Sequence, residues 1–136
     1  MKRLIYVSTA SENLELSDLK AILDSAVERN VSKNITGILI FNGLNFMQVL
    51  EGAAQDVDEI YALIVSDTRH SGVITILSED IIQRCFPNWA MRLSHVPTDA
   101  ESTSLDLSEI CGPMELPQQV PPHVSQLLKS FNTLKS

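Results

Sequence analysis

The chain has 136 residues, 44% of them apolar and 20% charged, which gives one domain large enough to bury a core and excludes fibrous or disordered classes. Its net charge of −7 divides as −4 over residues 1–96 (8 basic, 12 acidic) and −3 beyond them (2 basic, 5 acidic). With no clustered basic face to neutralise phosphates, direct nucleic-acid binding is disfavoured.

In chain order, Lys2 to Ser8 alternates apolar and polar residues and reads as a strand; its apolar run is too short, and lacks the cleavage site, for a signal peptide. Leu16, Leu19, Ile22, Leu23, Ala26 and Val27 have helical spacing, so a helix is expected over Ser17 to Arg29 with Ser17 as N-cap. Thr36 to Phe41 and Phe46 to Glu51 read as two strands joined by a tight turn at Asn42-Gly43. A second helix is expected over Val57 to Ser66, where Asp56, Asp58 and Glu59 suit the positive end of the dipole. Strands follow over Val73 to Ser78 and Trp89 to His95. The order βαββαββ, with right-handed crossovers, predicts an α+β, ferredoxin-like fold: a five-stranded mixed sheet with both helices on one face. Residues 1–96 form the compact unit. Residues 97–136 form an extension in which four prolines between Gly112 and Pro122 exclude regular structure. It ends in a helix whose Val124, Leu127, Leu128, Phe131 and Leu134 need a surface to bury against, the bare sheet face or another subunit. No segment has the length of a membrane span. Cys85 and Cys111 lie 26 positions apart without a CxxC and read as reduced thiols of a cytoplasmic protein.

Several polar groups sit on apolar faces. Gln48 shares the face of Phe46 and Leu50, and an unpaired amide there would cost about 1–3 kcal/mol. Tyr6 falls between Leu4 and Ser8 on the half-buried side of the first strand, and Asn30 is the next position on the first helix stripe. Trp89 and Met91 share a face of the last strand. Taken singly these are a satisfied core tyrosine, a backbone-tied amide, a helix C-terminal asparagine and plain core packing. His70 reads as loop, and His95 and His123 as surface, with no metal-like spacing.

Together, Tyr6 with Ser8 two later, Asn30 before an ITG strand, Gln48 within FMQVLEG, DTRH at Asp67 to His70, and FPNWAMRL at Phe86 to Leu93 give residues 1–96 a sequence that resembles the BLUF family, blue-light sensors that use a flavin. Arg29 stands where relatives often carry His or Asn, and Val7 replaces a frequent Arg. The resemblance implies a flavin ring between the two helices and against the sheet, with the C-terminal helix on the other face. FAD is the expected flavin, FMN and riboflavin the alternatives. Tyr6, Ser8, Asn30, Gln48, Asp67, Arg69 and His70 would contact it, Gln48 bridging the Tyr6 hydroxyl and the ring. Trp89 and Met91 would be the two residues that alternate near Gln48.

The implied activity is photosensing rather than catalysis. Tyr6 would pass an electron and a proton towards the excited flavin, and the Gln48 hydrogen bonds would rearrange. The output would go to a separate signalling protein, with a homo-oligomer expected. Two other functions compete: a flavin-less ferredoxin-like interaction module, and an acylphosphatase-like hydrolase, which would need a glycine-rich anion loop that the chain lacks.

Overall fold

In the computed structural model, residues 1–12, 14–41, 44–86, 92–95 and 120–131 are described. The elements are β1 (Lys2–Ala10), α1 (Leu16–Lys33), β2 (Thr36–Phe41), β3 (Asn45–Gly52), α2 (Ala54–Val65), β4 (His70–Asp80), β5 (Arg92–His95) and α3 (Pro122–Ser130). The strands form one sheet in the order β4-β1-β3-β2-β5, antiparallel throughout except for the parallel β2–β5 pair. This is the expected mixed ferredoxin-like sheet.

Strict alternation sorts the side chains into two apolar layers. Leu4, Tyr6, Leu39, Phe41, Phe46 and Leu50 point to one face, where Leu19 and Ala26 of α1 and Val57, Ile60 and Ile64 of α2 cover them. Ile5, Ile38, Ile40, Met47 and Val49 point to the other, where they meet Cys85, Phe86 and α3 through Val124, Leu128 and Phe131. Each of these α3 side chains is fully buried, worth about 1.5–3 kcal/mol apiece. The tail stripe therefore lies on the sheet face that α1 and α2 leave bare.

The boundaries differ from the sequence expectations for identifiable reasons. α1 starts one residue before Ser17, with Glu15 as its N-cap, because the Asp18 carboxylate reaches back to the Glu15 N–H at 2.8 Å. The helix also runs past Arg29 to Lys33. Asn34 closes it in the left-handed region at φ 55°, so Asn30 lies within the helix rather than at its end. Helix α2 begins three residues before Val57. The strand expected over Val73 to Ser78 extends to His70 and Asp80, which moves His70 from loop to strand. Pro121 and Pro122 open α3, where a missing N–H costs nothing, instead of closing the region to regular structure. The register sets Phe41 opposite Phe46, leaving residues 42–45 between them; Asn42-Gly43 itself lies outside the described residues. So do Trp89, Met91, Cys111 and Leu134.

Candidate functional site

Between α1, α2 and the sheet lies a cleft with a cavity volume of about 30 Å³. Its apolar walls are Ile22, Ala26, Leu39, Phe46 and Ile64, and its polar groups are Tyr6, Arg29, Gln48, Asp67, Arg69 and His70. Each arrives there by a local rule. Tyr6 and Gln48 are direct Cα partners in the antiparallel β1–β3 ladder, so one register puts phenol and amide side by side on the helix-covered face. Tyr6 and Gln48 are each 3% exposed, and the phenol hydroxyl donates to Gln48 Oε1. Burial pushes the Tyr6 pKa well above its usual value while the Arg29 charge pulls the other way, so Tyr6 is a protonated donor at any ordinary pH.

The turn between α2 and β4 supplies the charged end. Asp67 Oδ1 accepts from the Arg69 backbone N–H at 2.9 Å and from its Nε at 3.0 Å, and Oδ2 accepts from Nη2. This bond to Arg69 holds the Asp67 carboxyl down at about 2 against the opposing effect of burial. His70 opens β4 with its ring tied at both nitrogens. Nε2 lies 2.8 Å from the Ile64 carbonyl, which can only accept, so Nε2 carries the proton. Nδ1 then takes the Ser8 hydroxyl at 2.7 Å in the neutral ring. The imidazole stands edge-on to Phe46 at 84°, with ring centroids 6.3 Å apart.

Of the residues singled out from the sequence, Tyr6, Gln48, Asp67, Arg69 and His70 are thus brought together around one cleft. Ser8 reaches it through the His70 ring. Asn30 is buried beside Arg29 on α1, and its carbonyl accepts the Ile35 N–H at 2.8 Å. Arg29 is the residue that sequence reasoning did not assign to the site. It follows Ile22 and Ala26 at helical spacing, so a cation continuing an apolar stripe was the available signal. Its Nε is buried and has no hydrogen-bond partner among the described residues.

That orphaned donor, in an apolar slot with a phenol–amide pair on its wall, fits a planar ligand with apolar faces and acceptor atoms on its edge. An isoalloxazine ring has that chemistry. Ile22, Ala26, Leu39, Phe46 and Ile64 would hold its faces, and Gln48, Arg29 and Arg69 its polar edge. Among the described residues, no group of His, Cys, Asp or Glu could hold a metal ion, and no helix is long and apolar enough to cross a membrane.

Comparison with known proteins points the same way. The chain is 34% identical over 135 residues to the photoactivated adenylate cyclase subunit beta of Euglena longa, which covers 98% of this chain and 14% of that protein. It is 34% identical over 90 residues to the blue light- and temperature-regulated antirepressor BluF of Escherichia coli (strain K12), covering 66% of this chain and 22% of that one. The chain therefore spans only a small part of these relatives' length. Among solved structures, the dark state of the BLUF protein BlrB superposes with a TM-score of 0.67 at 35% identity, over 69% of this chain and 71% of that one. The family described as sensors of blue-light using FAD matches residues 1–92, and the chain belongs to that BLUF family.

Proposed function

We propose that this chain is a blue-light photoreceptor that holds FAD in the cleft between α1 and α2 and reports illumination to a separate protein by rearranging hydrogen bonds around Gln48. FMN and riboflavin carry the same ring and are the alternatives. In this reading residues 1–96 form the photosensor and residues 97–136 its extension. The observation that carries it is the Tyr6–Gln48 pair on the cleft wall, beside an Arg29 Nε without a hydrogen-bond partner among the described residues.

A bound flavin supplies blue-light absorption and, once excited, a one-electron oxidant. The remaining steps belong to the chain. With that group bound, Tyr6 would be the donor of both particles: its electron would go to the excited ring and its proton along the existing bond to Gln48 Oε1. Once both had returned to Tyr6, the Gln48 amide would be left rotated or tautomerised, offering its neighbours a different order of donor and acceptor. No atom enters or leaves. Arg69 is held by Asp67, and His70 by Ser8 and Ile64, so the polar end of the cleft stays fixed while the amide moves. Asn30 is assigned to the ring's polar edge, and Trp89 and Met91 to the neighbourhood of Gln48.

One hydrogen bond contributes about 0.5–1.5 kcal/mol, whereas moving a population from 1:99 to 99:1 takes about 5.5 kcal/mol. Output therefore requires repacking of a whole element, and α3 on the opposite sheet face is the element we assign. A cyclase and an antirepressor among the relatives support a sensor that serves different effectors. We assign the chain itself no catalysis, a cytoplasmic location and a homo-oligomeric state.

The test is an absorption spectrum of the protein with FAD before and after blue illumination. A small red shift that reverts in darkness is expected, and Tyr6→Phe should keep the yellow colour while losing the shift. A chain that retains no flavin, or a Tyr6→Phe protein with an undiminished photocycle, overturns the reading.

A further inference from the structure

Glu51 takes no part in the cleft. It lies on β3 three residues beyond Gln48, on the opposite face, and is 0% exposed. Its carboxylate is saturated with donors. Oε1 accepts from the Cys85 N–H at 3.0 Å and the Phe86 N–H at 2.9 Å, and Oε2 from Arg3 Nε at 2.8 Å and Cys85 Sγ at 3.2 Å. Arg3 is its direct Cα partner on β1, three residues before Tyr6, and is 4% exposed. Arg3 Nη1 in turn donates to Glu79, its Cα partner on β4. Glu79 Oε2 then lies 2.9 Å from Nε2 of His123, in the first turn of α3. At the other end, Arg84 Nη1 donates to the Glu51 carbonyl at 2.8 Å and to Thr36 Oγ1 at 2.9 Å, Thr36 being the Cα partner of Glu51 on β2. One polar row thus crosses β2, β3, β1 and β4 within an otherwise apolar layer and ends on α3.

Such a row is a poor source of stability. Well-packed apolar residues commonly do as well as a buried ion pair, whereas removing one partner is expensive. Its distinctive property is geometric. The carboxylate joins the strand that carries Gln48 to the backbone of Cys85 and Phe86 and, through Arg3 and Glu79, to α3.

We propose that Glu51 is a positioning residue that couples the Gln48 strand to α3. A shift of β3 driven from Gln48 alters the grip of Glu51 on Cys85–Phe86 and on Arg3, and Arg3 and Glu79 carry the change to His123. This rests on the photoreceptor reading above.

The experiment uses the full chain with FAD, following hydrogen exchange of residues 120–131 in darkness and under blue light, with the red shift recorded on the same samples. In the unmodified chain light should raise exchange there. In Glu51→Gln, whose carboxylate bonds to Arg3, Cys85 and Phe86, and in Glu79→Gln, the red shift should persist while the light–dark difference falls about fivefold or more, the low end of typical coupling. Leu127→Ala, which loosens α3 packing outside the row, should keep the difference. Should Glu51→Gln fail to fold, the half-buried Glu79 variant decides. The coupling is overturned if both variants keep the full difference, if Leu127→Ala loses it equally, or if an unmodified chain with a normal red shift shows none. Absence of any red shift in the unmodified chain overturns the photoreceptor reading, and the coupling falls with it.

Discussion

Tyr6 and Gln48 sit directly opposite each other on adjacent antiparallel strands, and the Tyr6 hydroxyl donates to the Gln48 amide oxygen inside a largely apolar layer. Gln48→Leu removes the acceptor and strands a buried phenol, at a cost of about 1–3 kcal/mol in urea unfolding. Tyr6→Phe combined with Gln48→Leu removes both partners, so the double variant should be more stable than the sum of the single losses implies. Strict additivity in that cycle would show that the pair contributes nothing to folding.

Arg29 behaves oppositely. Its buried Nε has no partner within the described residues, so the fold does not depend on a bond there. Arg29→Met keeps the aliphatic stem that packs in the cleft and deletes the donor. Stability without flavin should change by less than about 0.5 kcal/mol, while FAD affinity falls about tenfold, the equivalent of one hydrogen bond of about 1.4 kcal/mol. Fluorescence titration with FAD reads the second quantity, and unaltered affinity would remove Arg29 from the ligand's contacts.

These two residues also show how far the sequence could be read. Gln48 was legible because a period of two assigns it to the face of Phe46 and Leu50, and the antiparallel register then delivers Tyr6 to its side. Arg29 was harder to place. A long cation at the edge of a helical stripe usually snorkels to water, and only the packing of α1 over the sheet decides that this one lines a cleft. His70 was misplaced in a loop because the run before Val73 is weakly apolar, whereas the β1–β4 ladder, which pairs Ala10 with His70, extends the strand through it. The Glu51 row was invisible in the sequence, since Arg3, Glu51, Glu79 and His123 come together only through two strand registers and a tertiary contact.

The Asp67–Arg69 pair gives a pH signature. The carboxyl lies at about 2 in the folded chain against an ordinary 3.8, so its stabilisation is complete above the ordinary value and is lost as pH falls through the folded one. Asp67→Asn should therefore be less stable than the unmodified chain at pH 7, and the gap should close between about pH 4 and pH 2. Thermal unfolding at a series of pH values checks this, and a gap that persisted at pH 2 would assign the loss to something other than the ion pair.

Gly37 carries a steric requirement in the strand beside Gln48. A Cβ built there would lie 1.7 Å from the Val49 carbonyl oxygen, a backbone atom that cannot step aside without breaking the β2–β3 ladder. Gly37→Ala should cost about 2–4 kcal/mol, at the upper end of single substitutions. Because the displaced backbone adjoins Gln48, the light–dark spectral difference should shrink in whatever protein still folds. A fully stable Gly37→Ala chain would contradict the closeness of the two strands.

Cys85 offers a readout of the opposite sheet face. Burial first, and then the neighbouring Glu51 charge, push its thiol up to about 12 from an ordinary 9.0. A rise of that size lowers the thiolate fraction on the order of a thousandfold, and the thiolate is the form that alkylating reagents attack. At pH 8 the Cys85 peptide should stay unmodified by iodoacetamide while the chain is folded and react rapidly in urea, which peptide mass spectrometry can follow. Glu51→Gln removes the charge but leaves the burial, so labelling should quicken without approaching the unfolded rate. Because α3 closes this layer through Val124, Leu128 and Phe131, illumination should speed labelling if α3 moves as proposed. Equal rates in light and dark, in a chain whose spectrum still shifts, would place the output on another surface.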